Sequence, residues 1–207
     1  MKTLAVTIEI FSNLLASVNC NQPSRWKRDI ENSVDMYNQW FLNFAPRAFR
    51  ETRKKVTNDV LRVMQETNHL SSITPNLFQQ NPKSVQTLRM AMCPPIAVDR
   101  LVGLSGASKN LVKRLEEGLL PPRHSPEKLI EELSLMCELF SKMLDVDIFD
   151  WVGTTKEPGG EEVYRASTVV ADRLCGAVSN PIIKNAQEKR QLALIEEWLR
   201  SRGYSKR

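Results

Sequence analysis

Glycine and aromatic residues are scarce in this sequence: 8 of its 207 residues are glycine, and aromatic residues make up 7%. Good helix formers are common instead, which favours helices over sheets. The apolar fraction of 42% and the charged fraction of 26% are ordinary for a globular protein and argue against a mainly disordered chain. We therefore expect an all-α fold, a multi-helix bundle that forms one large domain or two small ones.

Cysteine and histidine are too few and too dispersed for a metal site. The four cysteines lie far apart without a CxxC pair, and the chain has only two histidines. This pattern excludes the usual zinc sites. We expect reduced, mostly buried thiols at Cys20, Cys93, Cys137 and Cys175.

A long apolar run is also lacking. Glu9, Ser12 and Asn13 interrupt the apolar stretch at the start of the chain, so we expect neither a secretory signal nor a membrane span. The chain is therefore expected to be cytoplasmic. Its net charge of +5 fits a polyanionic partner but does not identify one.

Apolar periodicity predicts two helices early in the chain, from Asp29 to Phe44 and from Pro46 to about Thr67, because Pro46 is expected to end one and begin the other. Val56, Val60 and Val63 would face inward. The other face of the second helix is basic, and it is either a solvated surface or a contact with DNA phosphates. Its members are Arg47, Arg50, Arg53, Lys54, Lys55 and Arg62.

The rest of the chain is also predicted to be helical. Residues 68–83 are polar and favour a loop, and a short helix follows from Ser84 to Met92. Ser125 and Pro126 are typical of a helix start. A further helix begins at Glu161, the pair Asn180–Pro181 is expected to turn the chain, and the last helix buries its apolar side chains, Leu192, Ile195 and Leu199.

Between these elements, the segment from Pro95 to Gly118 has the pattern of a helix-turn-helix. Gly103 and Gly106 are expected to flank a tight turn, and Gly106 can take a positive φ without steric cost. Ser108 is a natural N-cap for the second helix. The residues that would hold this second helix inward are Leu111, Val112 and Leu115.

The outer face of that second helix suits DNA. A short helix held at an angle can place its first turn in the major groove. Asparagine can bond adenine through two hydrogen bonds, and lysine or arginine can bond guanine or phosphate. The predicted DNA-binding residues are Ser108, Lys109, Asn110, Lys113 and Arg114. The alternative is an ordinary helical hairpin whose basic side chains are merely solvated.

Two family resemblances extend this interpretation. The turn from Gly106 to Ser108, the pair Glu117–Gly118, the pair Pro121–Pro122 and the helix from Ser125 resemble the lambda-repressor-like helix-turn-helix family, in which a following helix completes the bundle. A broader resemblance rests on a series of stretches in a fixed order, which include Tyr37 with Trp40–Phe41, Thr87–Met90, Asp99–Leu101, Gly103–Val112, Asp172–Leu174, Pro181–Ile183, Asn185–Glu188 and Gly203–Tyr204. Through these stretches, the chain from about Asp29 to Tyr204 resembles the XamI-type type II restriction endonucleases.

The second resemblance implies a DNA-binding region of an enzyme that cleaves a short sequence in double-stranded DNA, with Mg²⁺ as cofactor and a cognate methyltransferase as partner. Such enzymes generally cut with carboxylates and a lysine in a (D/E)xK motif. No Asp or Glu of this chain has a lysine two positions later. We therefore expect no catalytic residue and no magnesium site in this chain, and a catalytic lobe that is missing or supplied by a separate chain or a homodimer.

Other functions stay open. A complete nuclease would need an unusual metal site, for which Asp145, Asp147 and Asp150 are the candidates. A transcriptional regulator or a non-catalytic helical scaffold are further alternatives. The expected organisation is a divergent segment 1–24, a helical region 25–152 with the helix-turn-helix at about 95–118, a loop 153–160 and a helical region 161–207.

Overall fold

A computed structural model describes residues 22–204, apart from the side chains of residues 25 and 26. The described residues form seven α-helices and no strand, and the only strand-like pairing among them is one bridge between Met92 and Leu144. The helices are α1 (Pro23–Glu66), α2 (Pro75–Gln80), α3 (Ser84–Ala91), α4 (Val98–Ser105), α5 (Lys109–Glu116), α6 (Pro126–Met143) and α7 (Gly160–Ser201). The all-α prediction is confirmed. The chain divides into two compact units, Met1–Arg47 and Ala48–Arg207.

The predicted break at Pro46 is wrong, because α1 continues through this residue from Pro23 to Glu66. A proline inside a helix removes one backbone hydrogen bond and costs about 3 kcal/mol, which residues that favour helix on both sides can offset. The inward positions of the later part are confirmed: Val56, Val60 and Val63 are all buried.

In the first unit, the apolar residues of α1 lie on the surface to different degrees. Ile30 and Val34 are about half exposed. The aromatic side chains pack on one another, and the rings of Trp40 and Phe44 stack with centroids 5.1 Å apart. This part of the chain is helical, as the apolar periodicity from Asp29 to Phe44 predicts.

The turn after α1 shows why residues 68–83 are not simply a loop. Asn68, His69 and Leu70 all have positive φ, and the buried Leu70 and the indole of Trp151, which donates to the His69 carbonyl at 2.8 Å, hold this uncommon backbone in place. Helix α2 then begins at Pro75 and buries Phe78 against Phe140 of α6. The loop prediction is wrong there: although the segment is mostly polar, its Leu77 and Phe78 are buried in the core.

The start of α6 is as predicted. The Ser125 hydroxyl accepts a hydrogen bond from the Lys128 N–H, and Pro126 occupies the first turn. Leu133, Met136 and Phe140 are fully buried along one side of this helix. The apolar stripe of α6 therefore forms the centre of the core of the second unit.

Helix α7 differs from prediction in its second half. It runs without interruption from Gly160 to Ser201, so the predicted turn at Asn180–Pro181 is wrong. The three residues of its last part that were predicted to face inward are exposed instead: Leu192 by 58%, Ile195 by 54% and Leu199 by 37%. Apolar spacing defines a helix face, but it does not show whether any other part of the chain covers that face.

Three of the four cysteines lie in the described part of the chain. Cys137 and Cys175 are buried, Cys93 is exposed, and all three are free. Burial raises the pKa of the Cys137 thiol to about 11.

Among the described helices, none combines the length and the apolar character of a membrane-spanning segment. The predictions for Cys20 and for the start of the chain lie outside the described residues.

Candidate nucleic-acid interface

Helices α4 and α5 meet at a turn of three residues. Gly106 ends α4 in the left-handed conformation, with φ of +72°, and its N–H donates to the Val102 carbonyl at 3.2 Å. Ala107 is buried, and Ser108 is the N-cap of α5, as predicted. Gly103, however, lies inside α4 and does not flank the turn. Only one glycine is therefore required by the geometry of this turn.

The inner face of α5 is completely buried. Leu111, Val112 and Leu115 have no exposed surface, which confirms the predicted inward positions. Three large apolar side chains on an eight-residue helix fix its rotation about its own axis, because any rotation would bring one of them into water.

The C-terminal end of α5 is held by α3. The Arg89 Nε donates to Glu116 Oε1 at 2.7 Å, and the same guanidinium donates to the Ile96 carbonyl at 2.5 Å. The Gln86 amide donates to the Glu116 carbonyl at 2.8 Å. Arg89 is only 8% exposed, so this buried charge is matched by both a carboxylate and a backbone carbonyl.

The N-terminal end of α5 is held by α6. Glu132 Oε2 accepts hydrogen bonds from the Ser108 hydroxyl at 2.7 Å and from the Ser108 N–H at 3.0 Å. The Ser108 oxygen in turn accepts from the Leu111 N–H at 3.3 Å. Thus the hydroxyl of Ser108 has both a donor and an acceptor partner within the protein.

The carboxylate of Glu132 is buried but remains favourable as an anion. Its side chain lies 3.6 Å from His124 Nε2 and 3.9 Å from Lys128 Nζ. Burial raises its pKa, but the two hydrogen bonds from Ser108 and the nearby side chains of His124 and Lys128 outweigh this effect, and the net shift lowers the pKa. A negative charge at the first turn of α5 also interacts favourably with the helix dipole.

The five predicted DNA-binding residues differ in their exposure and in whether they already have a partner within the protein. Ser108 is half-buried and occupied by Glu132, and Arg114 is half-buried and donates to Glu117 at 3.1 Å. Lys109 is exposed, 3.8 Å from Asp99. Asn110 and Lys113 are exposed without a hydrogen bond or ion pair to any described residue. The solvent-facing surface of α5 therefore consists mainly of Lys109, Asn110 and Lys113.

Sequence reasoning missed Glu132, Arg89 and Glu116, which hold the two ends of α5. Their partners are 24 or 27 residues away in the chain, so no local pattern connects them. One signal was available: Glu132 directly precedes the buried Leu133, at the edge of the apolar stripe of α6. A carboxylate in that position must find donors when the helix packs.

The three aspartates considered for a metal site do not form one group of ligands in the structure. Asp145 is buried and pairs with Arg173 at 3.2 Å, whereas Asp150 pairs with Lys156 at 2.7 Å. Lys156 also pairs with Glu162 at 2.6 Å. In the described part of the chain, no group of three histidine, cysteine or acidic side chains could hold a metal ion. The residues present there do not fit the magnesium that the family resemblance implies, so no cleavage step is assigned to them.

Comparison with known proteins identifies related chains. Residues 68–207 match the XamI restriction endonuclease family. The type II restriction enzyme SalI of Streptomyces albus G is 50% identical over 192 residues, which cover 92% of this chain and 60% of that enzyme. The chain thus spans about 60% of the length of this curated relative. No solved structure matches. These comparisons do not support the expectation that a catalytic lobe is missing.

Proposed function

This chain belongs to the XamI restriction endonuclease family, and we propose that it recognises double-stranded DNA for a type II restriction enzyme. Membership of the family confirms the XamI-type resemblance found in the sequence. The relative SalI is named a type II restriction enzyme, which makes duplex DNA the proposed substrate. In such a restriction-modification system, a cognate methyltransferase that modifies the same DNA site is the proposed second partner.

The single observation that carries this proposal is the unpartnered polar surface of α5. Asn110 and Lys113 are one turn apart on the same exposed side, and their side chains bond no described residue. Asparagine suits the paired donor and acceptor of adenine, and lysine suits guanine or a phosphate. A helix whose two ends are held by neighbouring helices can present these groups in a fixed orientation, which sequence-specific recognition requires.

The proposed geometry is a helix-turn-helix in which α5 enters the major groove. Helix α4 precedes the turn at Gly106, and α6 follows to complete a three-helix arrangement, in keeping with the lambda-repressor-like resemblance. In this arrangement the N-terminal turn of the second helix faces the base edges. Asn110 lies in that turn, whereas Lys113 lies one turn further along.

Within this proposal, Ser108 positions α5 and does not contact DNA, because its hydroxyl already bonds Glu132 and Leu111. The carboxylate of Glu132 also makes the first turn of α5 a poor site for a phosphate, since both groups are anionic. We therefore assign a base contact to Asn110, a phosphate contact to Lys113 and a peripheral contact to Lys109.

The experiment measures binding of the chain to duplex DNA across a range of salt concentrations and among randomised target sequences. We expect Lys113→Ala to weaken binding to all duplexes similarly, because this lysine is assigned to a phosphate, and to reduce the slope of log K against log salt by about 1. We expect Asn110→Ala to reduce discrimination at one base pair by about 1–3 kcal/mol. Lys142→Ala, on an exposed lysine of α6, is the control and should leave both quantities unchanged.

The proposal fails if the unmodified chain binds no duplex at low salt. It also fails if Asn110→Ala and Lys113→Ala behave like the Lys142→Ala control. A transcriptional regulator would differ in its target, because it would select an operator next to its own gene, whereas the restriction site would recur wherever its short sequence occurs.

A further inference from the structure

The proposed recognition helix carries little free positive charge. Of its three basic side chains, Lys109 lies near Asp99 and Arg114 is paired with Glu117. Only Lys113 has no acidic partner among the described residues. Half to two-thirds of protein–DNA hydrogen bonds generally go to phosphate and sugar, and they supply most of the affinity. If α5 recognises bases, other cations of this chain must bind the backbone of the duplex.

A strip of polar and basic side chains lies on the exposed side of α1, within the second unit. Its members line one open depression of about 560 Å³. Their spacing of three and four residues places them on a single helix face, opposite the buried Val56, Val60 and Val63. We call this surface the basic strip; it consists of Arg50, Arg53, Lys54, Thr57 and Asn58.

The basic strip has charges that no described residue neutralises. Arg53 pairs with Asp172 at 2.9 Å, but Arg50 and Lys54 have no ion pair with any described residue. Residues 50–62 contain five basic and two acidic side chains, a net charge of +3 against +5 for the whole chain. Of the two acidic side chains, Asp59 pairs with Arg62, and Glu51 is exposed beside the strip. More than half of the net positive charge is therefore concentrated on about three turns of one helix.

Hydroxyl groups extend this surface toward α7. Arg53 and Thr57 also line a groove of about 380 Å³ whose opposite wall includes Tyr164, Ser167 and Thr168. Hydroxyls and guanidinium groups are the usual donors to phosphate oxygens.

We propose that the basic strip of α1 binds backbone phosphates of the same duplex that α5 recognises, without regard to sequence. This inference rests on the proposed function. The stretch from Arg50 to Asn58 spans about 12 Å at 1.5 Å per residue, which is between three and four rises of about 3.4 Å and so covers about four successive phosphates on one strand. Arg50 and Lys54 form the two principal charge contacts, and Thr57 and Asn58 donate neutral hydrogen bonds.

The test is the salt dependence of duplex binding by the double variant Arg50→Gln/Lys54→Gln. Each phosphate contact contributes about 0.9 to the slope of log K against log salt, so the slope should become shallower by about 1.8. At 0.1 M salt this corresponds to a loss of affinity of roughly 60-fold. The preference among sequences should not change, because these contacts do not involve bases.

The matched control is Lys142→Gln/Lys189→Gln, which removes the same charge from two exposed lysines outside the strip and outside α5. Its slope should stay within a few tenths of the unmodified value. Thermal unfolding of both double variants shows that they are folded, since all four side chains are exposed.

The inference is overturned if the strip variant has the same slope as the control. In that case, an effect of Asn110→Ala on discrimination would leave the proposed function intact, so the two failures can be told apart. If the unmodified chain binds no duplex at low salt, both proposals fall together. A loss of sequence preference in the strip variant would also contradict the inference, because it would indicate base contacts at α1.

Discussion

Helix α5 and the basic strip of α1 are both exposed and basic, but they are built differently. The inner face of α5 is fully buried, both of its ends are bonded to other helices, and two of its three cations face carboxylates. The basic strip lies on the outer side of a 44-residue helix, and its Arg50 and Lys54 have no ion pair with any residue that the structure describes. Recognition of a base edge requires fixed atoms, whereas attraction of a phosphate requires charge, and the two surfaces differ in this way.

The largest expected effect on stability comes from the inner face of α5. Leu115→Ala should lower the free energy of unfolding by about 2–5 kcal/mol, because it removes a fully buried side chain and leaves a cavity. Chemical denaturation measures this loss. Leu119→Ala, at a position 46% exposed, is the control and should cost far less. Equal losses for the two variants would show that α5 is not packed as described.

A smaller loss is expected from the contact at the other end of the same helix. Glu132→Gln should lower stability by about 1–3 kcal/mol, because the amide loses the charge-assisted bonds to Ser108. It should also blur discrimination among DNA sequences more than it weakens binding to random duplex, since α5 loses its fixed position. Glu131→Gln, at the exposed neighbouring position, is the matched control.

The difference in stability between the unmodified chain and Glu132→Gln should change with pH in a definite direction. The pKa of Glu132 is lower in the folded chain than its ordinary value. The ionised carboxylate therefore stabilises the fold at pH values above that ordinary pKa. That contribution is lost as the pH falls through the lowered pKa. The stability gap between the unmodified chain and Glu132→Gln should therefore narrow on acidification. A gap that widened would contradict the assignment of Glu132 as a favourable anion.

A substitution in the turn between α4 and α5 should cause a smaller loss of stability. Gly106→Ala places an alanine at a φ of +72°, which costs about 1–2 kcal/mol for an L-residue. A methyl group would meet no atom within 4 Å, so no steric clash adds to this cost. Gly103→Ala, inside α4, should instead be neutral or slightly stabilising. Thermal unfolding of the two variants separates the backbone cost from the effect of adding a methyl group.

The smallest expected effect on stability is in the basic strip. Arg53→Gln removes an ion pair whose side chains are 53% and 63% exposed, and such pairs contribute about 0–1 kcal/mol. Its unfolding midpoint should hardly change, although DNA affinity at low salt should fall. A large loss of stability would mean that the strip supports the fold, and the contrast with α5 would disappear.

The predicted and observed structures agree where a feature depends on neighbouring residues. Ser108 and Ser125 are N-caps, Gly106 takes the left-handed conformation, and the apolar spacing of α5 and α6 gives their buried faces. The predicted breaks at Pro46 and Pro181 are wrong, since a single missing hydrogen bond does not end a long helix.

Agreement is lower at the candidate interface. The five predicted DNA contacts share one short helix, but the sequence does not show that Ser108 and Arg114 already have partners in the protein. It also does not show that the apolar side chains of the last turns of α7, such as Trp198, are exposed. These properties depend on elements far away in the chain.

The sequence by itself determined the helical content, the caps and turn around α5, and the similarity to XamI-type restriction endonucleases, because each depends on short-range patterns or on the order of residues. Only the tertiary structure decided that Glu132 and Arg89 hold the two ends of α5, and that Arg50, Lys54 and Lys113 have no acidic partner within the described part of the chain. The physical reason is distance: the charge of a side chain is neutralised by whichever group the fold brings within a few ångströms, and in these contacts that group is 24 or 27 residues away.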